Sequence, residues 1–295
     1  MTEPRSDGGR REQQGKSATD SQKSEEYRGS YASQPQSPKQ CEATNTKRMA
    51  ERKLEVCVDT VLSAVEAVKG GADRLELCTA LSEGGLTPTT GLLLTVKKHI
   101  SRPIEVFCMV RPRGGPMVYS EEEREIILHD AQTLIKAGAD GLVFGALTSC
   151  NTIDINLCKV FREKAGDIPC TFHRAFDLLQ DPVSQLETII ELGYQRILTS
   201  GRRATALEGC TTLTQLVKGA RGRIKIMAGA GVKSSNVANI ISQTGVAECH
   251  ASARVTRVFG CEAQNDARMG AGSDNILLVT CPQEVKAIKQ AMAAV

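Results

Sequence analysis

Features that would point to a membrane, a nucleic acid or a secreted location are missing from this chain of 295 residues. Its longest apolar runs are far shorter than the roughly 20 residues that a transmembrane helix needs. The formal net charge is only +3 and the basic residues form no dense stripe, so neither nucleic acid nor a membrane surface is an expected partner. The N-terminal segment has no apolar core of a secretory signal.

The cysteines are numerous but lack any recognisable framework. The eleven residues are scattered, odd in number and never arranged as CxxC, so zinc-ribbon spacing is absent. HExxH-type spacing is absent as well, which leaves little support for a zinc site built on His173 and His250. Disulfide frameworks are typical of short secreted chains. We therefore expect reduced, mostly buried thiols in a cytoplasmic protein, with the nucleus left open as a second location.

The composition changes sharply near residue 48. Residues 1–48 are rich in Ser, Gln, Lys, Arg, Glu and Gly and contain almost no apolar side chains. Such a segment cannot bury enough apolar surface to offset the entropy cost of ordering. We predict a disordered polar tail over 1–48 and one folded domain over 49–295.

From Leu54 onward, short strand-like runs alternate with amphipathic helical stretches. The predicted strands cover residues 54–58, 74–78, 104–111, 141–147, 170–176, 196–201, 225–230 and 248–253. The predicted helices lie near 60–69, 89–99, 120–136, 155–164, 182–192, 206–219, 234–243 and 283–293. This order indicates βαβ units, and eight of them fit a (β/α)8 TIM-like barrel of about 250 residues. A doubly wound open sheet is the alternative, but its strands are usually apolar on both faces. Here one face of most strands is polar.

The polar face of each strand should point into the barrel, because strand residues alternate between the helix layer and the interior. Charged residues of both signs stand at the strand starts: Glu55, Arg74, Glu105, Arg196, Lys225 and Glu248. Features at this end of a TIM barrel usually serve stability. We predict a ring of salt bridges that plugs the base of the barrel.

Soft sulfur ligands occur toward the strand ends. Cys57 and Cys78 lie on adjacent strands, which are about 4.8 Å apart, so one small ion could contact both thiols. Met109 and Met227 are further sulfur candidates. Thiolate and thioether ligands select Cu(I) over hard cations. The alternative is that both thiols only fill space in the core.

A second set of strand-end residues suggests acid–base chemistry or anion binding. The set comprises Glu76, Arg111, His173, Asp177 and His250. A carboxylate–histidine pair suits proton transfer, and arginine suits an anionic substrate. The alternative is a satisfied polar network that holds the barrel together. The glycine-bearing ends at 198–201 and 227–231 are read either as phosphate-binding loops or as tight turns.

Several of these motifs resemble the CutC family of copper homeostasis proteins. They are GADRLELC, SEGGLTPT (82–89), VRPRGG (110–115), TFHRAFD (171–177), LTSG, IMAGAGV (226–232) and ECHASA. The resemblance covers about four-fifths of the chain, from Leu54 onward. It implies a TIM-like barrel that forms a homo-oligomer, a dimer or tetramer, and in animal members it implies Cu(I) binding. The cysteines implicated in that binding correspond to Cys57 and Cys78.

Two functions follow as hypotheses. The first is an intracellular Cu(I)-binding protein of copper homeostasis that holds the ion through Cys57 and Cys78. The second is a TIM-barrel lyase, isomerase or hydrolase that acts on a small anionic or sugar-like substrate through the acid–base set. The stretch 254–282 follows the eighth strand, so we expect it on the mouth side of the barrel, where it could cover the site.

Overall fold

Eight parallel strands close into a barrel in sequence order, with the eighth strand pairing with the first. The computed structural model describes residues 52–260 and 274–295. The barrel strands are Lys53–Val58 (β1), Arg74–Leu77 (β2), Glu105–Met109 (β3), Gly141–Phe144 (β4), Cys170–Phe172 (β5), Arg196–Thr199 (β6), Lys225–Ala228 (β7) and Glu248–Ala251 (β8). The predicted TIM-like barrel is confirmed, and the open doubly wound sheet is wrong.

Eight α-helices alternate with or follow these strands in the described part of the chain. They are Val61–Gly70 (α1), Thr90–His99 (α2), Glu121–Lys136 (α3), Ile155–Ala165 (α4), Pro182–Glu191 (α5), Cys210–Ala220 (α6), Val237–Thr244 (α7) and Pro282–Ala293 (α8). Local signals fix several starts: Ser120 and Glu123 form a capping box at α3, and Asp181 caps α5 ahead of Pro182. Over 52–260 and 274–295, none of the helices is long and apolar enough to cross a membrane.

Two predictions fall wholly or partly outside the described residues. The tail, 1–48, lies entirely outside them, as do residues 261–273 of the predicted cover over the site. The described ends of that stretch form an antiparallel pair of strands, Arg254–Val258 (β9) and Ile276–Thr280 (β10). The sequence analysis did not predict this pair.

The strands separate two apolar clusters, as the alternation predicts. Outward residues such as Leu54, Val56 and Val58 belong to the large core between the barrel and the helices. A smaller cluster of Cys78, Phe107, Met109 and Val143 is separate from it, inside the barrel. The interior is therefore part apolar and part ionic.

The predicted fifth strand is too long. It ends at Phe172, and Arg174–Leu178 form a 3₁₀ helix. His173 caps this helix, because its Nδ1 accepts a hydrogen bond of 3.2 Å from the Ala175 amide. Asp177 therefore lies within this 3₁₀ helix and not at the end of a strand, where the sequence analysis placed it.

A buried ion network closes the lower part of the barrel. Arg74 pairs with Glu55 and, at 2.6 Å, with Glu248, which Arg196 also contacts at 3.1 Å. Burial by itself lowers the pKa of Arg74, but Glu55 and Glu248 outweigh it, so the net pKa is raised and the side chain stays charged. The Arg74 and Arg196 guanidinium groups each lie 5.0 Å from the centre of the Phe107 ring.

The salt-bridge plug is thus confirmed for four of the six predicted residues. Glu105 and Lys225 are exposed at the first positions of β3 and β7 and lie outside the network.

Removing Arg74 should therefore strongly destabilise the protein. Arg74→Met leaves the Glu55 carboxylate buried without its partner, and we expect a loss of about 3–5 kcal/mol in the free energy of unfolding. Arg223→Met is the matched control, because the Arg223–Glu187 pair is largely exposed and such pairs contribute little. Urea unfolding measures both variants. Equal losses would contradict a stabilising role for the buried network.

Candidate functional site

A cavity of about 890 Å³ opens at the carboxyl ends of the strands. This is the end at which TIM barrels carry their sites, and the volume is within the range of small-molecule pockets. The wall includes six of the residues considered in the sequence analysis: Cys57, Glu76, Met109, Arg111, His173 and His250. Arg254 and Val255 of β9 also line the cavity, so the β9–β10 pair borders its mouth.

Cys57, Glu76 and His250 form one cluster in the wall. One donor atom from each side chain lies within 4.8 Å of the others. The strand register explains this convergence: Cys57 of β1 pairs with Glu76 of β2, and β8 brings in His250 on the other side of β1. The cluster is thus a consequence of barrel closure.

His250 is held as a cation within this cluster. Its Nε2 lies 2.8 Å from Glu76 Oε2 and 3.8 Å from Glu55 Oε1. Burial alone would lower the pKa of His250, but Glu76 and the Cys57 thiol outweigh burial and raise it well above its usual value. The imidazolium thereby links the cavity cluster to the ion network beneath it.

The two predicted copper ligands occupy different environments. Cys57 lines the cavity, whereas Cys78 is fully buried and packs against Met109 and Phe107. A Cβ atom at Gly85 would lie 3.0 Å from the Cys78 sulfur, so the chain passes close over this thiol. Burial, followed by Glu76 and Cys57, raises the pKa of Cys78 well above the usual thiol value. Cys78 therefore lies behind the cavity wall as a neutral thiol.

The two methionines also differ. Met109 lines the cavity, as expected for a sulfur ligand near the mouth. Met227 instead accepts a hydrogen bond of 3.4 Å from Arg74 Nη2, so its sulfur belongs to the lower ion network.

Arg111 is a nearly buried cation held by backbone carbonyl groups. Its Nη1 donates to the carbonyl oxygens of Glu83 at 2.6 Å and Gly85 at 3.2 Å, and its Nη2 donates to that of Gly115 at 3.2 Å. Its side chain is in none of the ion pairs of the described residues, and Nε is buried without a hydrogen-bond partner. The motifs SEGGLTPT and VRPRGG thus contact each other through the Arg111 guanidinium group.

His173 is a buried, neutral histidine in the same wall. Burial, followed by the charge of Arg111, lowers its pKa to about 3. Because Nδ1 accepts from the Ala175 amide, the ring proton resides on Nε2, which is buried without a partner. Gly145 makes room for the ring, since a Cβ there would lie 2.8 Å from Nδ1.

Asp177, the fifth residue of the acid–base set, does not line the cavity. Its carboxylate accepts hydrogen bonds from the Ser200 amide at 3.1 Å and hydroxyl at 3.0 Å, and it pairs with Arg174 at 2.8 Å. Asp177 therefore fixes the loop that follows β6.

The loop after β7, for which the sequence analysis left phosphate binding and a tight turn as alternatives, contacts a carboxylate of the protein itself. The Ser234 amide and hydroxyl donate to Glu284 of α8 at 2.8 and 2.9 Å. This contact joins residues 50 positions apart, and no local pattern in the sequence predicts it.

Comparison with known proteins assigns the chain to a family. The model of the CutC family matches residues 52–255. This chain belongs to the CutC family. The human "copper homeostasis protein cutC homolog" is 46% identical over 239 residues, which are 80% of this chain and 87% of that protein. The homolog of the same name from Caenorhabditis elegans is 40% identical over 252 residues, which are 85% of this chain and 100% of that protein.

A solved CutC structure supports the same assignment. The crystal structure of CutC from Streptococcus agalactiae is 32% identical to this CutC-family chain and superposes with a TM-score of 0.66. It covers 68% of this chain and 98% of its own.

The contrast between the thiols predicts a labelling order in the CutC-family protein. Iodoacetamide under native conditions should modify exposed Cys150 first, Cys57 more slowly, and Cys78 only on unfolding. Thiolate character and access both govern this reaction, and burial disfavours both at Cys78. Peptide mass spectrometry over time measures the order. Cys78 labelling as fast as Cys57 labelling would contradict the structure.

The neutral state of His173 predicts acid sensitivity. An unfolded histidine takes up a proton near pH 6.5, whereas folded His173 does so only near pH 3. The unfolded chain therefore binds more protons between these values, and stability falls as pH falls through this window. We expect His173→Gln to flatten this pH dependence, measured by urea unfolding at several pH values. Exposed His129→Gln is the control, and equal flattening in both variants would refute the assignment.

Proposed function

We propose that this CutC-family chain binds Cu(I) in the barrel cavity, with Cys57 as the first ligand, and thereby takes part in copper homeostasis. One observation carries the proposal: donor atoms of Cys57, Glu76 and His250 lie within 4.8 Å of one another in the cavity wall. The copper homeostasis names of the human and nematode relatives support the choice of ion.

The three side chains suit Cu(I) unequally. Thiolate is a soft ligand and imidazole a good copper ligand, whereas carboxylate prefers harder cations. Cys57 and His250 are therefore the proposed ligands, and His250 releases a proton as the ion binds, because a metal-binding imidazole is neutral. Glu76 is the proposed orienting group, because carboxylates commonly hydrogen-bond metal-binding histidines and Glu76 lies 2.8 Å from the His250 ring.

Cys78 remains the proposed second sulfur ligand, as the family resemblance implies. It interacts electrostatically with Cys57 but is fully buried and absent from the cavity wall. A Cu(I) ion bound by both thiols thus requires a movement that exposes the Cys78 sulfur to the cavity. Variants with a single substitution distinguish a copper site formed by Cys57 and His250 from one formed by Cys57 and Cys78.

An anaerobic competition titration with a chromogenic Cu(I) chelator tests this proposal. We expect Cys57→Ser to abolish the tightest site and His250→Gln to weaken it strongly. Glu76→Gln, which alters the orienting group, should weaken it about 10–100-fold. Cys78→Ser should weaken the site comparably only if both thiols bind. Cys150→Ser, which removes an exposed thiol, is the matched control. Wild-type affinity in Cys57→Ser would refute a site in the barrel.

An enzyme of unknown substrate is the second candidate function. The favouring observation is the 2.8 Å Glu76–His250 pair inside a cavity that can hold a small molecule. Arg111 and His173 would bind the substrate in this reading, and Asp177 would act only through its loop. A metabolite screen in which turnover disappears in Glu76→Gln would support the enzyme. Binding without turnover would argue against it.

A further inference from the structure

The cavity has more room and more charge than one Cu(I) ion uses. Its volume is about 890 Å³, whereas a water molecule occupies about 30 Å³ in the liquid. The copper cluster belongs to β8, β1 and β2, while Arg111 and His173 follow β3 and β5. The proposed Cu(I) site therefore leaves the charge of Arg111 unexplained.

No ion pair of the described residues includes Arg111. Three of its hydrogen bonds run to neutral carbonyl groups. The Tyr119 hydroxyl interacts with Arg111, but burial raises the pKa of Tyr119 to about 12, so the phenol stays neutral. An arginine only 6% exposed is normally paired with an anion, because burying an unpaired charge is costly.

The hydrogen bonds of Arg111 leave its Nε–H without a partner. Nη1 donates to the carbonyl oxygens of Glu83 and Gly85, Nη2 donates to that of Gly115, and the Tyr119 hydroxyl interacts with the same guanidinium group. The Nε atom is buried and has no hydrogen-bond partner among the described residues. A guanidinium N–H donates a charge-assisted hydrogen bond to a carboxylate oxygen.

His173 supplies a second unsatisfied donor in the same wall. Its side chain is 3% exposed, and its Nε2–H has no partner among the described residues. His173 lies close enough to Arg111 for the charge of Arg111 to lower the pKa of the ring. Because Nε of Arg111 and Nε2 of His173 are enclosed, binding of a ligand to both atoms requires the cavity wall to move.

We propose that the cavity binds a small organic carboxylate anion, whose carboxylate group is held by Arg111 and His173. A phosphate group is disfavoured, because the loop after β7 that could supply amide and hydroxyl donors already binds Glu284 through Ser234. This site does not depend on the proposed Cu(I) function, since it shares no ligand with Cys57 and His250.

Calorimetric titration of the copper-free full chain tests the proposal. The probes are acetate, succinate and citrate, with inorganic phosphate and sulfate as the competing class of anion. We expect at least one carboxylate to bind, and to bind more tightly than phosphate or sulfate. Arg111→Gln and His173→Leu should each weaken that binding about tenfold or more, because each loses a charge-assisted or buried hydrogen bond.

Two control variants test whether carboxylate binding depends specifically on Arg111 and His173. Arg223→Gln removes one positive charge from the outer surface, and Cys57→Ser removes the proposed copper ligand. Both should keep carboxylate binding, so failure of the copper proposal and failure of this one are distinguishable. If Arg111→Gln does not fold, the proposal is tested by carboxylate binding to His173→Leu and by the preference of the wild-type protein for carboxylate over phosphate and sulfate. Absence of carboxylate binding, unchanged binding in a folded Arg111→Gln or His173→Leu variant, or equal phosphate or sulfate binding would overturn the proposal.

Discussion

The ion pair between Arg74 and Glu55 is the contact on which the rest of the barrel interior depends. Both side chains are fully buried, so neither charge is tolerated without the other. Glu248 and Arg196 extend the pair into a network that fills the barrel beneath the cavity, and both guanidinium groups lie 5.0 Å from the centre of the Phe107 ring. The network lies beneath the cavity that carries the candidate site, which opens toward the strand ends.

The fold follows from local patterns that are strong in this sequence. The alternation of Leu54, Val56 and Val58 with polar residues fixes which face of β1 meets the helices, and the other strands repeat it. The pattern failed where local geometry overrides alternation, as at the 3₁₀ helix of Arg174–Leu178. It also failed at the β9–β10 pair, because a two-stranded sheet beyond a closed barrel is not required by the barrel's own periodicity.

The candidate site was only half visible in the sequence, because register and loop closure are tertiary properties. The sequence gives no reason to distinguish Cys57 from Cys78, since both are cysteines of neighbouring predicted strands. In the structure, the register places Cys57 beside Glu76, whereas Cys78 is buried outside the cavity lining. The Ser234–Glu284 contact likewise depends on how α8 packs on the loop after β7. Residue type identified Arg111 as an anion ligand, but only the structure shows that it is buried against backbone carbonyl groups and outside the ion pairs of the described residues.

The cavity is electrostatically divided, and this division decides what it can hold. On the side of β8, β1 and β2, the Glu76 carboxylate and the Cys57 thiol favour a cation, and the His250 ring lies 2.8 Å from Glu76. At the ends of β3 and β5, Arg111 and the Nε2–H of His173 favour an anion. Because the low dielectric of a buried site strengthens both preferences, a copper ion and a carboxylate need not compete for the same atoms. A cavity with two such sides is consistent with copper binding and small-molecule binding in one barrel. Copper binding would then depend on the side formed by β8, β1 and β2, and small-molecule binding on the side that follows β3 and β5.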